Sequence, residues 1–328
     1  SSPCLNAGSN GLATGALDAD GNARTNAAVV DMGAYELGYH YVALSNPTPV
    51  APYLTWGTAA TSIQDAVDAA YVGSAILVSN GVYDTGARTA AGSSLSNRVV
   101  VHKALLVKSE NGPNTTFILG NGPGGDDAVR CVWLTNGAAL IGFTLTNGAT
   151  RFTGDDSTEQ GGGGAWCQSA AVLISDCRFV GNAAGYQGGG SFGGTIFNSV
   201  YRGNQAATGG GASFIDNPGS LNNCLLTGNT AGGGGGAREG TLNHCTVAGN
   251  YAWVNGGGVS GGTLQNCIVY FNTAGMLGHN HYGSALDYSC TTPDPGGTGN
   301  ITTDPEFRNR AGGDYRLKYA SPCVDIPG

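Results

Sequence analysis

Between residues 173 and 275, apolar and polar side chains follow one another in the same order five times. Aligned on an asparagine, the copies read ISDCRFVGN ending at Asn182, IFNSVYRGN at Asn204, LNNCLLTGN at Asn229, LNHCTVAGN at Asn250 and LQNCIVYFN at Asn272. Successive asparagines stand 22, 25, 21 and 22 residues apart, and glycine runs from Gly188, Gly209, Gly232 and Gly256 separate the copies. Such a period, with no helical spacing inside it, predicts a β-solenoid in which each repeat is one coil and neither end coil can bury its faces alone.

The columns of this alignment assign faces. Eight residues before each asparagine stand Ile174, Ile196, Leu221, Leu242 and Leu264, an inward aliphatic stack. Five before stand Cys177, Ser199, Cys224, Cys245 and Cys267, and three before stand Phe179, Tyr201, Leu226, Val247 and Val269. The last two columns share one face of a strand, whereas the first and second can both point inward only if the chain bends between them. The bend falls on Asp176, Asn198, Asn223, His244 and Asn266, polar types that tolerate left-handed backbone. Stacked about 4.8 Å apart, these residues form an Asn-rich ladder at the turn. The aligned Asn182, Asn204, Asn229, Asn250 and Asn272 make a second ladder.

Phe179 to Asn182 in FVGN, with the neighbouring Gly-Gly-Gly words, resembles the FxxN and GGA motifs of polymorphic outer-membrane-protein repeats. More broadly, the chain resembles the bacterial right-handed parallel β-helix proteins of the pectate-lyase-like superfamily, in particular large secreted ones ending in a "choice-of-anchor" type region. The resemblance covers nearly the whole chain and implies an all-β, right-handed parallel β-helix and an extracellular or cell-surface location. It leaves activity open, because that superfamily mixes polysaccharide lyases and hydrolases with adhesins and purely structural solenoids.

Taken in order, residues 1–36 have no repeat period and resemble the segment that closes such β-helices at their C-terminal end. Ser321-Pro322-Cys323 repeats Ser2-Pro3-Cys4, so the chain reads as one unit of a tandem array. On that reading residues 1–36, with Pro3, Cys4 and Tyr35, dock on a neighbouring unit; the alternative is an irregular cap on their own coils. Residues 37–72 hold a proline-marked lead-in and a helix in TSIQDAVDAA. There Thr61 and Gln64 form a capping box, Ile63, Ala66, Val67 and Ala70 line one face, and Gly73 ends the helix before the first strand. Residues 73–290 form the β-helix and 291–328 an irregular C-terminal segment. Asn147 stands 35 residues before Asn182, so that step carries a polar insertion, residues 149–160.

Composition narrows the partners. Glycine makes up 58 of 328 residues and charged residues only 11%, which describes neutral coil surfaces. The net charge of −8 argues against nucleic acid or anionic membrane as partner, and no run of 18 apolar residues offers a membrane span. Ser1 does not open a leader, so a signal peptide, if the protein has one, lies outside these residues. Of nine cysteines, Cys177, Cys224, Cys245 and Cys267 share one inward column. In-register β-carbons lie near the strand spacing of about 4.8 Å, longer than the roughly 3.8 Å a disulfide prefers, so buried thiols are expected. His279 and His281 read as loop residues rather than zinc ligands.

Three places could carry chemistry. Asp155, Asp156 and Glu159 lie beside Arg151 in the insertion, and a β-helix lyase would need calcium held by carboxylates from adjacent coils plus an Arg or Lys base. The coil columns supply charges only singly, so the insertion reads as a solvated loop. Asp18, Asp20 and Asn22 resemble the opening of a calcium loop without its distant glutamate. They form either a structural calcium site completed by Asp31 or Glu36, or an ordinary Asp-Gly turn. Trp133, Trp166, Tyr186, Tyr251 and Trp253 could line a sugar-stacking face or simply cover coil edges. The preferred expectation is a non-catalytic assembly module that stacks head to tail with other copies. The alternatives are a carbohydrate-active lyase or hydrolase and a glycan-binding adhesin.

Overall fold

The computed structural model describes residues 38–324. The expectations for Pro3, Cys4 and Tyr35 of the assembly segment, and for Asp18, Asp20 and Asn22, lie outside the described residues.

Three sheets run along the described chain. Sheet I has ten strands, from Tyr39–Val42 to Ala285–Asp287; sheet II has nine, from Gly81–Tyr83 to Cys290–Thr291; sheet III has nine, from Arg88–Thr89 to His281–Tyr282. One coil visits them in turn. Leu173–Ser175 lies in sheet I, Arg178–Val180 in sheet II and Ser191–Phe192 in sheet III, after which Gly194–Phe197 pairs in parallel with Leu173–Ser175. The fold is a right-handed parallel β-helix. His281 sits in a sheet III strand and His279 Nδ1 accepts from Ala274 N–H at 3.0 Å, so the histidine pair is not wholly loop.

The bend residues adopt left-handed backbone as their types require, with φ of 53° at Asp176, 49° at Asn198 and 53–54° at Asn223, His244 and Asn266. They face solvent, and the recorded link is Asn223 donating to Asn198 at 2.9 Å, so the turn ladder shrinks to one pair. Inside, Ile174, Ile196, Leu221, Leu242 and Leu264 form a continuous core with Cys177, Cys224, Cys245 and Cys267 and the Phe179 column. Burial of this kind contributes roughly 1.5–3 kcal/mol per large apolar side chain. The eight described cysteines are free thiols, and burial, with a smaller push from the Asp176 charge, raises Cys177 to about 12.

Three sequence expectations shift. Helix α1 spans Ile63–Ala69 and is capped by Ser62, whose side chain accepts from Asp65 N–H, not by Thr61. Gln64 is drawn off to clamp Val100, accepting from its N–H at 2.8 Å and donating to its carbonyl at 3.2 Å; α1 ends at Ala70, short of Gly73. The buried face of Ile63, Ala66 and Val67 joins the core, but the strand Tyr39–Val42 precedes α1 and pairs with Ala75–Val78, so the lead-in already belongs to sheet I. Lastly, Thr146 pairs with Val180, which puts Asn147 opposite Gly181 and Gly148 opposite Asn182. Asn147 takes the left-handed position (φ 53°) that Gly181, Gly203, Gly228 and Gly249 hold in the next four coils and Phe271 in the fifth.

Candidate binding groove

After sheet II each coil turns on its asparagine. Asn229 illustrates the arrangement: its Oδ1 accepts from Asn204 N–H and Asn204 Nδ2, and its Nδ2 donates to Tyr201 O and Asn250 Oδ1, all at 2.9–3.0 Å. Asn182, Asn204, Asn250 and Asn272 repeat this scheme, and Gly148 N–H and Asn280 Oδ1 end the run. Every one of these amides is buried. Beyond the asparagine the chain runs as a short edge ladder, Thr230–Gly233 beside Tyr251–Asn255 beside Thr273–Ala274.

Two residues past each asparagine stands an alanine: Ala184, Ala206, Ala231, Ala252 and Ala274. The next position is small in four coils, Gly185, Ala207, Gly232 and Gly275, and is Trp253 in the fifth. Thr230–Gly233 has four residues where Tyr251–Asn255 has five, and Ala231 pairs with Ala252 while Gly233 pairs with Asn255. Gly232 therefore faces both Trp253 and Val254 across a bulge, which throws the indole outward. Trp253 is 46% exposed.

On the other side, the insertion raises a wall. Arg130 is fully buried and donates to Thr158 O, Gly161 O, Gly162 O and Asn97 Oδ1 at 2.7–3.2 Å, with its guanidinium over the Trp133 ring. Desolvation pulls this group down to about 9, so it remains a cation at neutral pH. Arg151 pairs with Asp126 at 2.7 Å, and Ser94 donates to Glu159 through both N–H and Oγ. Asp155 accepts from Ser157 N–H and from Thr158 N–H and Oγ1. The insertion carboxylates thus hold their own loop; Asp156 accepts from Gln160. Phe152 stands on this wall against Gly124 and is 64% exposed.

Between Phe152 and Trp253 lies a groove of about 370 Å³, floored by Ala183, Ala184, Gly185, Gln205, Ala206 and Ala207. Phe152 and Trp253 are the rings of its lining and Gln205 its larger polar residue; Thr150, also in the lining, is buried and accepts from Gly185 N–H through Oγ1 at 2.8 Å. Nothing in the repeat columns pointed to Phe152; the legible signal was the break of the small column at Trp253. The other aromatic candidates separate. Trp133 and Trp166 stack at 3.6 Å, 7% exposed each, in a cluster with Ala90, Val100 and Phe192, and so line no sugar-stacking face. Tyr251 meets Trp253 edge-on at 6.1 Å. Among the described residues no group of three or more His, Cys, Asp or Glu is arranged to hold a metal ion.

At the far end, Pro322 and Cys323 fold onto the last coil, where Ser321 Oγ donates to Pro305 O at 2.6 Å. The segment before them lies along its own coils, with Tyr315 hydroxyl against Thr227 Oγ1 at 2.6 Å and Tyr270 hydroxyl donating to Thr302 O at 3.0 Å.

No family model and no curated protein matches the sequence. Among solved structures the chain is similar to pectate lyase Pel9A, at 12% identity and a TM-score of 0.50, over 87% of this chain and 90% of that one. It is also similar to pectin methylesterase PemA from Erwinia chrysanthemi, at 12% identity and a TM-score of 0.42, over 81% of this chain and 91% of that one. Identity this low speaks to fold alone: the chain shares the parallel β-helix of the pectate lyase over most of its length.

Proposed function

We propose that this chain is a glycan-binding β-helix that works outside the cell and holds a polysaccharide in the groove between Phe152 and Trp253. The observation that carries the reading is the pair of exposed rings, Phe152 and Trp253, that line one groove floored mostly by glycine and alanine. Flat apolar rings with a few fixed polar groups suit the apolar faces and hydroxyl edges of sugars. The lining is uncharged, which favours a neutral glycan over an acidic one. Xylan and mannan are therefore the first chains to test, with polygalacturonate as the acidic comparison that the fold likeness to a pectate lyase suggests. This reading takes precedence over the head-to-tail expectation, which rests on residues 1–36, while the described C-terminal segment spends its contacts on its own coils.

The test is calorimetric titration of each glycan into the wild type, Trp253→Ala and Phe152→Ala. An aromatic anchor at a binding site contributes more than about 1 kcal/mol, so each variant should lose roughly tenfold or more in affinity with an unchanged thermal midpoint. Heat from no glycan, or equal affinity in all three proteins, overturns the proposal.

A further inference from the structure

The inward cysteine column leaves two thiols of a different kind. Cys290 pairs in register with Ile268, which continues the half-exposed positions Val200, Leu225 and Thr246, so its side chain belongs to the outer face of sheet II. It is nevertheless buried, because the C-terminal segment lies over it: Cys290 Sγ donates to Thr303 O at 3.3 Å. Cys323 reaches the same place from a turn in which Ser321 accepts from Cys323 N–H through Oγ and from Val324 N–H through its carbonyl. Cys290 and Cys323 thus meet in one open recess of about 570 Å³, which both line.

We propose that Cys290 and Cys323 are a disulfide site that fastens the C-terminal segment to the last coil. The oxidant is a small-molecule disulfide such as oxidised glutathione. The more exposed Cys323 thiolate attacks the oxidant's S–S bond and releases one thiol; the Cys290 thiolate then attacks the Cys323 sulfur and releases the second. Two protein thiols are oxidised by two electrons, two protons leave, and the oxidant is reduced to two thiols. The contact with Cys290 lowers Cys323, which favours it as the first nucleophile. Cys224, Cys245 and Cys267 also stack on successive coils but stay thiols: they sit inside the coils on in-register strands, at a spacing too long for the bond and closed to oxidant.

The intact chain is incubated with oxidised glutathione, quenched in acid, alkylated after unfolding, digested and mapped by mass spectrometry. The proposal expects one linked peptide pair containing Cys290 and Cys323, with the other six described cysteines alkylated. Cys323→Ser should return Cys290 as an alkylated thiol. Oxidation should slow amide hydrogen exchange in residues 302–324 by about tenfold or more in the wild type and leave it unchanged in that variant. Recovery of both cysteines as thiols from the oxidised wild type overturns the proposal. So does a link from either one to Cys4, whose Ser-Pro-Cys setting repeats that of Cys323.

Discussion

Replacing Asn229 with alanine isolates the asparagine ladder. The side chain is wholly buried and fills all four of its hydrogen-bonding positions, two on Oδ1 and two on Nδ2. Its orientation is dictated by the backbone, because Asn204 N–H must meet an oxygen and Tyr201 carbonyl must meet an N–H. Alanine leaves the buried Asn204 N–H without a partner, at about 1–3 kcal/mol, takes from Tyr201 carbonyl one of its two bonds, and removes two amide–amide bonds. The expected loss is about 3–6 kcal/mol, read from urea denaturation followed by circular dichroism, with coincidence of two probes checking that the coils unfold together. Asn198→Ala, at a solvent-facing bend, supplies the control and should cost about 1 kcal/mol from left-handed backbone. Asn229→Asp adds a sign. Its carboxylate would face Tyr201 carbonyl and Asn250 Oδ1, which raises its folded pKa above the unfolded value of about 3.9. More protons are then bound in the folded state, so the variant should gain stability as pH falls toward 4. A loss in Asn229→Ala no larger than in Asn198→Ala would refute the reasoning.

Other perturbations probe the close stacking and the walls. A β-carbon on Gly210 would lie 2.5 Å from Thr230 O and 2.6 Å from Gly235 O, whereas one on Gly203 meets nothing within 4 Å. Gly210→Ala should therefore abolish the cooperative thermal transition, while Gly203→Ala should cost only about 1 kcal/mol for its positive φ. Arg130→Met strands the carbonyls of Thr158, Gly161 and Gly162 and should lower stability by about 3–5 kcal/mol and speed proteolysis within residues 149–160. Thr158 holds Asp155 below its ordinary 3.8, and Ser94 holds Glu159 below its ordinary 4.5. Their pinning of the loop is thus complete above about pH 5 and fades as pH falls through the depressed values, which hydrogen exchange of residues 151–160 at pH 3 and pH 6 would detect.

The repeat columns were readable because a solenoid imposes the same surroundings on every copy. Leu242 sits between Leu221 and Leu264 in space as it does in the alignment. What escaped was local competition or geometry that the columns do not encode. Ser62 rather than Thr61 caps α1 because Gln64 finds a better partner in Val100, thirty-six residues away. Asn147 misled the alignment because asparagine and glycine both accept the left-handed position, so TLTNG and FVGN swap the two residues without changing the coil. Trp133 and Trp166 gave no sign of burial because their cover includes Ala90, in an otherwise polar stretch. The groove needed coil lengths compared in space: residues 205–208 and Thr230–Gly233 are one residue shorter than Tyr251–Asn255.

The places where the repeat is broken also bear on what the groove is for. One irregular stretch, residues 214–219, brings in Phe214, which packs into the core at 3% exposure. A second brings in Phe152 and a third Trp253, and both rings stay in solvent although the alanine and glycine columns around them close tightly. Stability favours the first outcome, since burying such a ring is worth about 1.5–3 kcal/mol. Phe152 is instead held out by a wall whose anchor is a fully buried cation, and Trp253 by a bulge, both on the one edge where two coils are shortened. Two unrelated devices thus expose rings in the lining of one trough, and that coincidence is what the proposed glycan site rests on.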